Sequence, residues 1–298
     1  MAQGDSPNPG RSPGQGRTVQ IFFNPASGSY SARRVRALSK AFEAQGATVI
    51  ETICNADAPA IAEHADHLCI AGGDGTVRDI VNAVARNGYS TDLSNYPMGT
   101  INLLAREARY PADPTTFVQR LFSDEPARSH FPVSIGEGLF VVCASVGPDS
   151  IAVAGISPRL KRLIGRGAYV AAIIPVLLRW PRRRIRLEVD GRAIDCEAFY
   201  LAKGRYFAGP WSFAPQAGVD RPTLHLVAFE RMRRSDFAAF AWALFWRRPV
   251  ERLNGVTCLS CTDLSADSET PLPVQADGDI VAALPVTIKL GETALRFR

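Results

Sequence analysis

The sequence predicts an α/β protein in two parts: an N-terminal doubly wound parallel sheet and a C-terminal, mostly antiparallel β-sandwich. Three observations predict it. Apolar runs alternate with helical patterns over roughly the first 130 residues, the signature of a parallel sheet covered by helices. Three small-polar segments, at 24–28, 72–76 and 97–102, each lie between an apolar run and a helix, as loops at the carboxyl ends of parallel strands do. From about residue 131 the pattern turns to short β runs joined by polar turns, with Asp190-Gly191 a strong hairpin signal.

Taken in order, residues 1–17 are rich in Pro, Gly, Ser and Gln and read as a disordered tail that lacks the apolar core of a signal peptide. Residues 19–23 read as the first strand, followed by a helix over 31–45 that Ser31 caps and Gly46 stops. A strand over 47–53, a short helix from Ala58 and a buried strand over 67–71 follow. Val77, Ile80, Val81 and Val84 share one face of a helix over 76–86, closed by Gly88. Helices over 101–108 and from Asp113 to about Phe122 complete the first part. In the second part, 140–145, 184–189, 198–202, 223–228, 271–275, 286–290 and 294–297 read as strands. The boundary divides 18–130 from 131–298, with the last strand a candidate to pack back on the first part.

Composition narrows the function classes. An apolar content of 46% is ordinary for a soluble chain, and no apolar run reaches membrane-spanning length. The six cysteines fall mostly in apolar runs; Cys258 and Cys261 have C-x-x-C spacing but no second pair or nearby His to complete a zinc site. All six read as reduced core thiols of a cytoplasmic protein. The net charge of +5 is unevenly placed. Arg159, Lys161, Arg162, Arg166, Arg179, Arg182, Arg183, Arg184 and Arg186 follow one another without an acid. Arg231, Arg233 and Arg234, then the aromatic run 237–246, then Arg247 and Arg248 form a second group. Arginines flanking aromatic and apolar residues suit an anionic membrane surface, and equally suit core-packing helices with solvated basic ends. No nucleic-acid motif accompanies the charge, so nucleic acid is not an expected partner. The sequence carries no signal for oligomeric state.

Chemistry concentrates at Gly72-Gly73-Asp74-Gly75-Thr76. Glycines at a strand-to-helix turn let backbone approach a ligand closely, and free N–H groups at a helix start attract phosphate. The acid among them suits Mg²⁺, or water beside phosphates, better than phosphate itself. With Asn24-Pro25-Ala26-Ser27-Gly28 before it and Pro97-Met98-Gly99-Thr100-Ile101-Asn102 after it, the chain resembles the diacylglycerol kinase catalytic domain family, which includes bacterial lipid kinases, sphingosine kinases and ceramide kinases. The resemblance continues through Ser145, Gly147 and Asp149, through Phe213-Ala214-Pro215, and through Asp277-Gly278-Asp279, where the family has Asp-Gly-Glu.

This resemblance implies transfer of the ATP γ-phosphoryl group to a lipid hydroxyl, with Mg²⁺. It implies nucleotide contacts at Asn24, Ser27, Thr52, Gly72, Gly73, Asp74, Gly75, Thr76, Gly99, Thr100 and Asn102, with Asp74 reaching Mg²⁺ through nucleotide or water. No Walker-type lysine motif is present, so loop N–H groups and Mg²⁺ neutralise the phosphates. Asp277 is the expected general base, although Asp-Gly between strands is also the commonest hairpin turn. Asp279 replaces the family's Glu with a reach shorter by one methylene. Two other departures stand out. Leu103 replaces an acid after Asn102, and Arg221-Pro222, preceded by Asp220, stands where many bacterial members have an Asp-Gly pair whose Asp helps bind a structural Mg²⁺. A guanidinium cannot ligate a cation, so that metal site is expected to be absent. An NAD kinase shares the glycine loop and is the nearest rival; a membrane-binding member without turnover is another. Diacylglycerol, a sphingoid base and ceramide each fit as acceptor, at the inner face of the membrane.

Overall fold

A computed structural model describes residues 14–25, 27, 29–54, 59–155, 166–180 and 182–298, without the side chains of 166–171. Residues 1–13 of the expected tail, Ala58 at the start of the expected short helix, and Arg159, Lys161 and Arg162 lie outside them. The first sheet runs in the order β2 (Thr48–Ile53), β1 (Thr18–Phe23), β3 (His67–Gly72), β4 (Asp92–Pro97), β18 (Leu295–Phe297) and β5 (Arg128–His130). β2, β1, β3 and β4 are mutually parallel. β1 explains the layering by alternation: Val19, Ile21 and Phe23 face α1 (Ala32–Ala44) and α4 (Pro114–Leu121), whereas Phe22 faces α2 (Asp74–Asn87). Buried on both faces, such strands read as continuous apolar runs.

β4 breaks that rule and was not assigned as a strand from sequence. Its Ser94 and Asn95 are fully buried. Ser94 Oγ lies 2.8 Å from His67 Nε2, and Asn95 Nδ2 donates to the carbonyls of Ile70 and Gly72 at 3.1 and 3.2 Å. Polar groups bridge β3 and β4 where apolar contact would be the default. No helix follows Ala58: residues 59–66 run as turn and coil, held by Gln20, which donates to the Ala60 carbonyl and accepts from Ala62 N–H.

Two six-stranded antiparallel sheets form the second part. One has the order β10 (Arg192–Cys196), β9 (Ile185–Val189), β14 (Asp263–Asp267), β17 (Val286–Leu290), β6 (Val133–Ile135) and β7 (Gly138–Phe140). The other has β13 (Val256–Cys261), β12 (Leu224–Phe229), β11 (Ala198–Ala202), β8 (Cys143–Val146), β15 (Pro273–Ala276) and β16 (Asp279–Ala283). One apolar core joins their facing sides, with Leu187, Leu264 and Ile288 from the first and Phe199, Leu226 and Val274 from the second. β11 alternates as well. Phe199 and Leu201 enter that core, and Ala198, Tyr200 and Ala202 face a second core with Phe213, Trp180 and Phe240. α6 (Arg166–Arg179) and α7 (Arg234–Phe245) supply the cover on that side, and α5 (Pro148–Ala154) follows β8. Asp190-Gly191 forms the expected hairpin, both residues at positive φ.

The last strand returns to the first sheet. Phe297 pairs with Leu93 in parallel and with Arg128 antiparallel, and is 5% exposed. Asp92 receives Arg296 and Arg298 at 3.0 and 2.8 Å. Phe297→Ala should empty a site between α2, β4 and the second part. We expect a loss of about 3 kcal/mol, read by urea unfolding; a change below about 1 kcal/mol would show that β18 contributes little to the fold.

Candidate active site where the glycine loops meet a carboxylate hairpin

β3 leads directly into α2, which begins at Asp74 with Gly73 as its N-cap and no side chain capping it. Its first N–H groups are therefore available to an anion. The glycines are required by contact. A Cβ on Gly72 would lie 2.6 Å from Thr76 Cβ, and one on Gly73 would lie 2.9 Å from Gly99 Cα. The β3–α2 loop and the loop from β4 to α3 (Leu103–Ala108) thus touch backbone to backbone. Asn102 fixes the second loop from a left-handed conformation at φ 56°: its Oδ1 accepts from Gly99 N–H at 2.7 Å and its Nδ2 donates to the Gly99 carbonyl at 2.8 Å. Thr100 is exposed beside it. In the first loop, Ser27 N–H closes a turn on the Asn24 carbonyl, and Ser27 Oγ lies 3.2 Å from Ser29 Oγ. At the end of β2, Thr52 Oγ1 accepts from Gln20 Nε2 at 2.8 Å.

Asp74 has a structural task that sequence reasoning did not foresee. Its carboxylate is buried and accepts from the N–H groups of Leu103 and Leu104 at 2.9 and 3.1 Å. It caps α3 from outside that helix, whose own N-cap Asn102 makes no side-chain cap bond. Both oxygens are thus engaged by N–H groups of α3. Among the described residues, no group of three or more His, Cys, Asp or Glu is placed to hold a metal ion.

The two other expected carboxylates differ from each other. Asp277-Gly278 is the turn of the β15–β16 hairpin, both residues at positive φ. Asp277 is 5% exposed. Its Oδ2 accepts from Val141 N–H at 2.7 Å, and its Oδ1 accepts from Val142 and Cys143 N–H at 2.9 and 3.2 Å. Burial pushes its pKa up to about 7, against the downward pull of those donors and of Arg78. Asp277, expected to take the substrate proton, is thus engaged through both oxygens. Asp279 lies two residues on, with its side chain 36% exposed. Its Oδ2 is so placed that a Cβ on Gly75 would meet it at 3.0 Å. The hairpin therefore delivers a carboxylate to the first turn of α2.

Arg78 completes this junction and was not singled out from sequence. On α2 one turn beyond Gly75, it lies 3.3 Å from Asp279 and donates to the Ala276 carbonyl at 3.2 Å. Its position on the helix face next to the glycine loop was a usable signal. Asn82, one turn further, donates to the Leu139 carbonyl and accepts from Leu139 N–H at 3.0 and 2.8 Å, fastening the same helix to the second part. The segment at 145–149 lies on the other side of the hairpin, where Ser145 Oγ is 2.5 Å from Asp149 Oδ2 and 2.9 Å from Gln275 Oε1.

Glycine loops, helix start and hairpin carboxylates belong to matching halves of known proteins. Residues 18–130 match the diacylglycerol kinase catalytic domain model, and residues 142–297 match the YegS C-terminal NAD kinase beta sandwich-like domain model. The chain belongs to the diacylglycerol kinase catalytic domain family. Within that family, a diacylglycerol kinase of Staphylococcus saprophyticus is 25% identical over 282 residues, covering 90% of this chain and 91% of its own. One from Staphylococcus aureus is 26% identical, with 90% and 88% covered. In fold, a crystal structure from Bacillus anthracis str. Sterne matches with a TM-score of 0.76 at 16% identity, covering 100% of this chain and 99% of that one. A diacylglycerol kinase crystal structure from the same organism gives 0.68 at 17% identity, with 94% and 96% covered.

Two predictions follow the geometry of the loops and of Asp277. Gly99→Ala forces the two glycine loops apart and should lower nucleotide affinity at least about tenfold, read by calorimetric titration, because the backbone on either side cannot yield. Wild-type affinity would mean that the close approach is dispensable. Asp277 has a folded pKa raised above its unfolded value of about 4, so its stability contribution is present below about pH 4 and is lost as pH rises through about 7. Turnover should run the other way, rising through about pH 7 as the carboxylate forms, and Asp277→Asn should abolish that limb. An unchanged pH profile in the variant would remove Asp277 from the reaction.

Proposed function

We propose that the protein is an ATP-dependent lipid kinase that transfers the γ-phosphoryl group to the hydroxyl of a membrane lipid, diacylglycerol or a sphingoid or ceramide lipid. The observation that carries this reading is Asp279 set against Gly75 and Arg78, an acid and a cation at the start of a helix whose N–H groups suit phosphate. Residues 18–130 form the nucleotide unit in this reading, and 131–298 the lipid unit, apart from the returning β18. Asn24, Ser27, Thr52, Gly72 to Thr76, Gly99, Thr100 and Asn102 surround the nucleotide. Arg78 and the α2 N–H groups offset phosphate charge where no Walker lysine exists. Mg²⁺, when bound with the nucleotide, neutralises further phosphate charge. Asp279 accepts the proton of the attacking hydroxyl, and Asp277 positions it through the hairpin. Phosphoryl transfer then demands little more than alignment.

The lipid reading also rests on the surface. Trp242, Phe245 and Trp246 are 57%, 59% and 55% exposed, and the Trp246 ring meets Trp242 at a tilt and Phe245 edge-on, with centroids 5.4 Å apart in each pair. Arg247 and Arg248 follow them, both exposed. Phe240 and Leu244, which the sequence grouped with this face, are instead core residues. Arg182 is held by Glu197 at 2.5 and 2.9 Å, and Arg234 by the carbonyls of Leu177 and Leu178. The basic residues offered to an anionic bilayer in this reading include Arg183, Arg184, Arg233, Arg247 and Arg248, all exposed. Among the described residues no helix is long and apolar enough to cross a membrane, so contact at the inner face is peripheral in this reading.

Incubation with ATP and a mixed lipid panel, with NAD in a parallel arm, tests the function. A phosphorylated lipid is the expected product; phosphorylated NAD alone would support the NAD kinase reading, and neither product would support a binding protein. Asp279→Asn should retain nucleotide binding and lose about 10²-fold or more in turnover on the lipid acceptor; near-wild-type turnover would return the proton to another group. Arg247→Glu with Arg248→Glu should cut binding to phosphatidylserine vesicles about tenfold or more at low salt, since each basic residue contributes about 1 kcal/mol, and leave activity on detergent-dispersed lipid intact. Equal vesicle binding would move the membrane face elsewhere.

A further inference from the structure

The family resemblance leads to a structural Mg²⁺ beside the Arg221-Pro222 turn, and the residues there do not fit one. Arg221 and Pro222 are exposed and offer no carboxylate, and the exposed Asp220 before them acts on Lys203 as a counter-charge. The interior of the turn is already filled by a cation from the protein itself. Lys203, just past the end of β11, is fully buried, and its Nζ donates to the carbonyls of Gly218, Val219 and Arg221 at 3.0, 2.9 and 2.6 Å. An ammonium has three N–H donors and no acceptor, and here each donor has one carbonyl oxygen. Converging carbonyl oxygens are also the ligands that hard metal cations select. Burial lowers the Lys203 pKa to about 8 while Glu107 and Asp220 pull against it, so the group is an ammonium at pH 7.

The turn it fills is a junction. Glu107 of α3 accepts from Val219 N–H at 2.9 Å and from Arg205 N–H at 2.7 Å, and Phe131 N–H donates to the Val219 carbonyl at 3.2 Å. The backbone N–H groups of Lys203 and Gly204 both donate to the Val142 carbonyl, and Val142 N–H is one of the three that bind Asp277. The cradle therefore lies between α3, whose first turn Asp74 caps, and the segment that holds the carboxylate hairpin.

We propose that Lys203 is a built-in replacement for a structural metal: its ammonium occupies the carbonyl cradle of the 218–221 turn and holds that turn against α3 without a divalent cation. This inference does not depend on the acceptor lipid or on the identity of the proton acceptor.

Thermal unfolding of the nucleotide-free full chain tests it. The wild type should melt at the same temperature in EDTA and in millimolar Mg²⁺. Lys203→Met, which fills the space without donors, should melt about 5 °C lower or more, because three carbonyls of the turn each lose a charged donor and keep only one backbone N–H. Lys203→Ala leaves room for a free amine, and n-butylammonium should raise its melting temperature saturably, whereas tetramethylammonium, which has no N–H, should not. A saturable rise of the wild-type melting temperature with Mg²⁺ would overturn the proposal. So would a Lys203→Met variant as stable as wild type, or a Lys203→Ala variant that responds equally, or not at all, to both amines. Should neither variant fold, the wild-type comparison decides: indifference to Mg²⁺ supports the built-in cation, and stabilisation by Mg²⁺ refutes it.

Discussion

Three backbone N–H groups in a row, those of Val141, Val142 and Cys143, converge on the single carboxylate of Asp277. The chain passes there from β7 in one sheet to β8 in the other, and a segment changing sheets leaves donors without ladder partners. Left unmet in a buried position, each would cost about 1–3 kcal/mol. Asp277 meets all three, and its own N–H donates to the Cys143 carbonyl at 3.0 Å. The hairpin tip is thereby fixed to the sandwich, and Asp279, two residues on, can only lie against the start of α2. One buried carboxylate sets the geometry of the junction between the two parts.

The first part answers this with its own rigid pieces. Gly73 and Gly99 allow two loops to touch, Asn102 locks the second, and Asp74 ties both to α3 through two N–H bonds. Glu107 of α3 then reaches the turn that Lys203 fills. The glycine loops, α3, the 218–221 turn and the 141–143 segment form one chain of hydrogen bonds around the candidate site. Its members are backbone groups satisfied by buried or half-buried side chains, an arrangement that resists small displacements better than exposed ion pairs do.

Much of this was legible in the sequence where the signal was local. The parallel sheet follows from alternation, α1 from Ser31 and its apolar spacing, and the two hairpins from Asp190-Gly191 and Asp277-Gly278. The glycine loops were visible because three small-polar segments fall between an apolar run and a helix at one sheet edge. What stayed hidden depends on distant partners. β4 is polar in sequence because Ser94 and Asn95 satisfy groups on β3, a reason that no window of sequence contains. Which of Asp277 and Asp279 is buried and which lies against α2 depends on which of them meets 141–143, more than 130 residues away. Arg78 and Lys203 read as ordinary basic residues until the fold brings carbonyls and a carboxylate to them. In the 237–246 run, the residues that pack and those that face outward differ by the rotation of one helix, which composition alone does not fix.

In the proposed reaction Asp277 acts through the position of Asp279 and does not act separately on the substrate. A double-mutant cycle tests it most directly, with turnover on a saturating lipid acceptor measured for wild type, Asp277→Asn, Asp279→Asn and the double variant. If Asp277 serves Asp279, the double variant should turn over within about threefold of Asp279→Asn alone. Losses that multiply, so that the double variant falls by the product of the two single effects, would show two independent contributions and contradict the claim.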